Sequence, residues 1–301
     1  MEKRTGGALK MDIHWGGALL KGPAAIKGVG DGVADMGLIV AVYNPASNPA
    51  TLLADLPSEY NDPWAASRAF YQLSTTDPVL QKEWDDLNVR FVSNMSTGPL
   101  QLVCNNKVVN SVADFAGLKI KGISNYSKVA QDLGANMVSM TAYDTYAGLD
   151  TGLVDCAIFY TYAIPAFKIP EVSTDLTLLD WGALMGLAIV INKDVWAGLT
   201  PEQQAIIDQL GAEYVDVISE KIVVEKKATL DALRAEGKLT LHDFAPEERR
   251  KLLDAGQKYV EEWKATVAKR GIDGEGLANR YDALLKKWHA KLSADGYPWE
   301  G

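Results

Sequence analysis

The alternation of apolar and polar positions divides the chain into short strands and amphipathic helices, and it is clearest between residues 114 and 156. There the order is strand, helix, strand, helix, strand. Residues 117–121 predict a turn and a short strand, a helix ends near Leu133-Gly134, and residues 137–140 predict a second strand. Residues 141–149 have helical spacing, with Tyr146 and Leu149 on one face, and Gly152 closes them. Upstream, residues 11–15 read as a strand, 22–30 as a helix and 35–42 as a buried apolar strand. Pro45, Asn48 and Pro49 break the pattern into a loop. Helices follow at 63–73 and 79–87, and residues 90–94 restart the sheet.

Thr200-Pro201-Glu202-Gln203 is a helix start in which Thr200 caps, Pro201 suits the first turn and Gln203 completes a capping box. Apolar residues at Ile206, Ile207, Leu210, Tyr214, Val217 and Ile218 keep helical spacing, and nothing interrupts them before Gly237. A helix of that length spans about 54 Å, longer than one domain is wide, so it must cross two. Residues 246–270 and 277–292 predict two more amphipathic helices, with Gly271 ending the first.

Composition agrees with two packed α/β domains: 301 residues, 48% hydrophobic and 23% charged. A net charge of −9 argues against a nucleic-acid partner, whose phosphates need a basic face. No apolar run is long enough to insert in a membrane as a helix. Nothing suggests a cofactor or metal: no CxxC, HExxH, GxSxG or Walker pattern occurs, and His14, His242 and His289 are scattered. Cys104 and Cys156 read as buried thiols, since a disulfide needs a geometry that sequence does not supply.

The segment 114–156 resembles the signature of the TRAP-transporter solute-binding proteins, the DctP family. Asp114, Gly117, Leu118, Lys119, Leu133, Gly134, Ala135, Met140, Tyr146, Leu149, Gly152, Val154 and Asp155 fall in step with it. So do Gly16, Gly17, Leu19, Leu20, Gly32, Asp35 and Met36 early on, Leu56-Pro57, and the run INKDVWAGLTPEQQAII, so that the likeness extends from about residue 10 to 237. It implies a two-domain periplasmic-binding-protein fold with a hinged cleft and one long helix spanning both domains. Residues 1–98 plus 187–226 are expected in the first domain and 99–186 plus 227–301 in the second, which takes both C-terminal helices. It implies a periplasmic location, a small-molecule solute and TRAP membrane permease subunits as partners. Family members carry a signal peptide, a strand and a helix ahead of the segment matching residues 2–7. Met1 falls near the end of that helix, so an internal start or a fragment is expected.

The resemblance also marks a candidate pocket, and here the chain departs from the pattern. Lys121 holds the place of the family's ligand-binding arginine, and Gln101 that of a second arginine. Lys121 either pairs with an anion as a point charge or is a solvated lysine at a strand end. A polar run after the VDG motif is replaced by Ala157, Ile158, Phe159 and Tyr160, and Trp181 stands where a polar residue is common. With Tyr43, Asn44, Glu59 and Tyr60 these are the candidate ligand contacts. Aromatic walls beside an acid suit a small organic cation such as an amino alcohol, with Glu59 as counter-charge. An organic acid held by Lys121 is the alternative, and an enzyme or sensor module on the same fold is another. No nucleophile with a base is visible to support catalysis, and Asp155 reads as a structural cap.

Overall fold

The structure, a computed structural model, describes residues 1–300. After a short helix α1 (Ala25–Gly30) the chain forms β1 (Met36–Val40), the helices α2 (Pro63–Thr76) and α3 (Pro78–Asp86), and β2 (Val89–Met95). It then crosses to a second sheet, building β3 (Leu100–Cys104), β4 (Lys119–Lys121), α4 (Ser124–Asp132), β5 (Asn136–Val138), α5 (Thr145–Asp150), β6 (Cys156–Tyr160) and β7 (Asp175–Leu178). It returns through β8 (Leu187–Asn192) and a short α6 (Lys193–Ala197). The remaining elements are the long α7 (Pro201–Glu236), β9 (Thr240–Asp243), α8 (Pro246–Ala268) and α9 (Gly274–Asp295).

One sheet has the order β1-β8-β2 and the other β5-β4-β6-β3-β7-β9. Each has its own buried cluster. β3 and β6 are buried at every position, as near-continuous apolar runs require when both faces are covered. The expected buried strand at 35–42 forms as β1, but it lies at the edge of its sheet and Leu38 is 48% exposed.

α7 is the 36-residue helix anticipated from its caps. Thr200 and Gln203 form the capping box, and Gly237 ends the helix at φ 63°, a left-handed value that glycine adopts without strain. Its first half packs Ile207 against Val92 and Ile191 of the first sheet, while Leu233 is buried in the core of the second. Gly211 lets the helix approach β2 closely, because a Cβ there would overlap the Val92 carbonyl oxygen.

Three expectations are corrected. Residues 11–15 form no strand, because no neighbouring strand is present to bond with them; the segment is irregular and leads into a 3-10 turn at Trp15–Gly17. Cys104 and Cys156 are bridged rather than free. They are direct partners across the β3–β6 ladder, a register that a search for spacing motifs does not see. Finally, α9 packs on α2 and buries Leu277, Tyr281 and Leu285 in the first core, not the second. α8 is shared, placing Leu252 and Tyr259 in the second core and Trp263 and Val267 in the first.

Two predictions test this packing. The bridge closes a sequence separation of 52 residues, so replacing both cysteines by alanine is expected to lower unfolding free energy by about 4 kcal/mol in denaturant titrations. An unchanged midpoint would contradict it. Gly211→Ala is expected to destabilise by about 1–3 kcal/mol, because helix and strand must separate to admit the methyl group.

Candidate functional site

The chain passes between the two sheets at residues 96–99, at 179–186 and along α7, and near these crossings Tyr43 and Asp55 of the first domain meet Tyr126 and Tyr160 of the second, which marks the candidate cleft. From the second sheet comes Lys121, the last residue of β4. Its register opposite Ala157 puts its side chain on the same face as Phe159. The side chain is wholly buried. Its Nζ donates to the Ile158 carbonyl at 3.2 Å and lies 5.8 Å from the Phe159 ring centroid. Among the described residues no carboxylate lies within ion-pair distance. Burial lowers the ammonium from its ordinary value to about 8.

Aromatic rings continue from Lys121. Phe159 stacks on Tyr160 at 5.4 Å and meets Phe167 edge-on at 5.3 Å. From the first sheet, the turn after β1 carries Tyr43, which packs against the second core and faces Ala142, Tyr143 and Asp144. Tyr43 also neighbours Tyr160, and burial raises both phenols. Trp181, on the second crossing, is fully buried and stands edge-on to Tyr126 at 5.0 Å; its Nε1–H has no acceptor among the described residues. Tyr126 of α4 places its hydroxyl 3.3 Å from the carbonyls of both Leu56 and Ala183, tying α4 to the first domain and the crossing.

Asp55 completes the cleft and was not anticipated from sequence. It ends a 3-10 turn, Thr51–Asp55, and is fully buried. Oδ1 accepts the N–H groups of Met185 at 2.9 Å and Gly186 at 3.1 Å, whereas Oδ2 has no partner among the described residues. Tyr126, Tyr160 and Tyr281 are its electrostatic neighbours. Desolvation outweighs the two N–H donors and raises the carboxyl to about 7. An acid inside the apolar run Leu52-Leu53-Ala54-Asp55-Leu56 was the available signal.

Of the candidate residues, Lys121, Tyr43, Phe159, Tyr160 and Trp181 gather here, and four do not present a group to this cleft. Gln101 is committed to Asp180: its Nε2 donates to the carboxylate at 2.8 Å and its Oε1 accepts the backbone N–H at 3.0 Å. Glu59 is exposed, and Tyr60 leans on His289 of α9 at 4.9 Å. Tyr60 lines a separate pocket of about 160 Å³ between the 53–60 loop, α8 and α9. The turn after Pro57 leaves Glu59 exposed and packs Tyr60 against the first core, so Glu59 is no counter-charge within the cleft. Asn44 closes the turn after β1 through its backbone, and its side chain bonds nothing among the described residues. Asp155 accepts the Lys119 N–H at 2.8 Å, a structural role. Among the described residues no helix is long and apolar enough to cross a membrane.

Residues 1–266 match the model of the bacterial extracellular solute-binding proteins, family 7 (DctP). The 2,3-diketo-L-gulonate-binding periplasmic protein of Escherichia coli is 25% identical over 277 residues, covering 91% of this chain and 82% of its own. A TRAP solute-binding protein of Rhodoferax ferrireducens, solved with copurified benzoate, superposes with a TM-score of 0.86 at 22% identity, covering 97% of this chain and 91% of the other. A Bordetella bronchiseptica TRAP periplasmic solute-binding protein solved with bound mandelate gives 0.83 at 22%, covering 95% and 90%. A two-domain α/β frame, one helix crossing it and a family match over residues 1–266 converge, and the chain belongs to the DctP family of TRAP-transporter solute-binding proteins.

Proposed function

We propose that the protein captures a small organic acid between its two domains in the periplasm and delivers it to the membrane subunits of a TRAP transporter. The observation that carries this reading is the Lys121 ammonium, wholly buried with a single carbonyl acceptor and no carboxylate beside it. A buried lysine left that way is costly, and a ligand carboxylate supplies the missing charge and acceptors. The rings of Phe159, Tyr160 and Tyr43 form an apolar wall for the body of such an acid. Relatives solved with benzoate and mandelate bind acids of this size and shape, which supports the choice. The Cys104–Cys156 bridge suits an oxidising compartment outside the cytoplasm.

A second reading, a small organic cation, is favoured by Asp55, a buried carboxylate among tyrosines. It faces the obstacle that a second positive charge would enter a cleft already holding an unpaired ammonium. Calorimetry separates the two. Lys121→Met is expected to weaken an aromatic or aliphatic monocarboxylate by more than tenfold, about 1.4 kcal/mol, and Lys121→Arg to retain binding. Tight binding of short amines, unchanged or strengthened by Lys121→Met, would instead establish the cation reading.

The pH dependence has a defined sign. Only the ammonium form pairs with a carboxylate, so above a pH of about 8 affinity should fall about tenfold per unit. Lys121→Met should flatten the profile. In the ligand-free protein the trend reverses: the folded pKa lies below the ordinary lysine value of 10.5, so stability rises as pH climbs from about 8 toward that value.

A further inference from the structure

We infer that Asp55 is a second polar anchor for the solute, and that its unpartnered Oδ2 pairs with a hydroxyl group, making the protein selective for hydroxylated acids over the parent acids. The inference rests on the cleft reading above and adds to it the chemistry of the ligand's far end. Three observations support it.

The carboxyl is fully buried, and its two oxygens are treated differently: Oδ1 is saturated by two backbone N–H groups, while Oδ2 is left with none. A buried polar atom without a partner is costly, and one oxygen of an otherwise well-bonded carboxyl is a specific vacancy for a hydrogen-bonding group. The residue also lies where the domains meet. It comes from the first domain, but Tyr126 and Tyr160 of the second are its electrostatic neighbours, and the donors to Oδ1 are on the crossing between domains. Tyr160, an electrostatic neighbour of Asp55, stacks on Phe159, whose ring centroid lies 5.8 Å from the Lys121 ammonium, so aromatic rings lead from the ammonium toward the side of the carboxyl.

The third observation concerns which group fits. No positively charged side chain pairs with Asp55 among the described residues, and burial favours its neutral form. An ammonium needs the ionised carboxylate, and an ether needs the protonated acid. A hydroxyl both donates and accepts, so it satisfies Oδ2 in either state. The solute inferred from both anchors is an acid whose carboxylate meets Lys121 and whose hydroxyl meets Asp55.

Calorimetry on the full chain with matched pairs, benzoate against 3-hydroxybenzoate and phenylacetate against 3-hydroxyphenylacetate, tests this. Wild type is expected to prefer at least one hydroxylated member by tenfold or more. Asp55→Ala should cut that preference, read as the ratio of the two Kd values within the variant, to within about twofold. If Asp55→Ala does not fold, Asp55→Asn retains an acceptor for the Met185 and Gly186 N–H groups but offers the ligand an amide donor. The affinity ratio of 3-methoxybenzoate to 3-hydroxybenzoate should then rise relative to wild type. Equal binding of parent and hydroxylated acids by wild type overturns the inference and leaves the organic-acid reading standing. So does a preference that survives both variants, or tighter binding of amino acids than of their hydroxy counterparts. Failure of every acid to bind overturns both.

Discussion

A single unpaired ammonium, Lys121, wholly buried against the Ile158 carbonyl and the Phe159 ring, is the constraint on which the site depends. In water such a group is fully solvated; here it keeps one carbonyl and one aromatic face. Its lowered proton affinity measures how poorly these replace a hydration shell. The fold can tolerate this because Lys121 sits on β4, one strand in from the edge of its sheet, where the strand's position is fixed by β5 and β6 on either side. An anion entering the cleft changes the balance: it offsets the desolvation of the lysine and gains strength from the same low dielectric. In the function proposed above, closure of the domains around an acid would give that charge its partner.

The elements behind the cleft determine how the halves are connected. α7 lies along both, and Asp180 on the second crossing joins them laterally. Its side chain receives Gln101 of β3, with Arg249 of α8 at 3.6 Å and Lys226 of α7 at 3.8 Å, and its carbonyl accepts Asn61 at 3.3 Å. Asp180 itself has a positive φ of 43°, an uncommon conformation for a residue with a side chain, and these bonds hold it there. Gln101, expected to touch ligand, is instead committed to Asp180 through both ends of its amide.

How far the sequence reveals this molecule depends on the range of the interaction. α7 is legible because its signals are local: Thr200, Pro201 and Gln203 at one end and Gly237 at the other lie within a turn of the structure they specify. The strand and helix series from Lys119 to Tyr160 is legible for the same reason. What is not legible depends on partners distant in the chain. Residues 11–15 have strand-like alternation, yet a strand requires a neighbour. The cysteines are 52 residues apart and meet only through the β3–β6 register. Likewise Asp55 meets its donors 130 and 131 residues later, while Glu59, four residues further on, is turned outward by the Pro57 turn. The family pattern located Lys121 by number, but its burial and lack of a counter-ion required the folded chain.

The central claim is that Lys121 is a buried cation awaiting an anion, and the most direct measurement is its own titration. Nuclear magnetic resonance of the lysine side chains, assigned with Lys121→Arg, would follow its ammonium with and without a saturating organic acid. The account predicts a pKa of about 8 in the free protein and a clear rise in the complex, because the bound carboxylate stabilises the charged form. An ordinary lysine titration in the free protein, or one that a bound acid leaves unchanged, would contradict it.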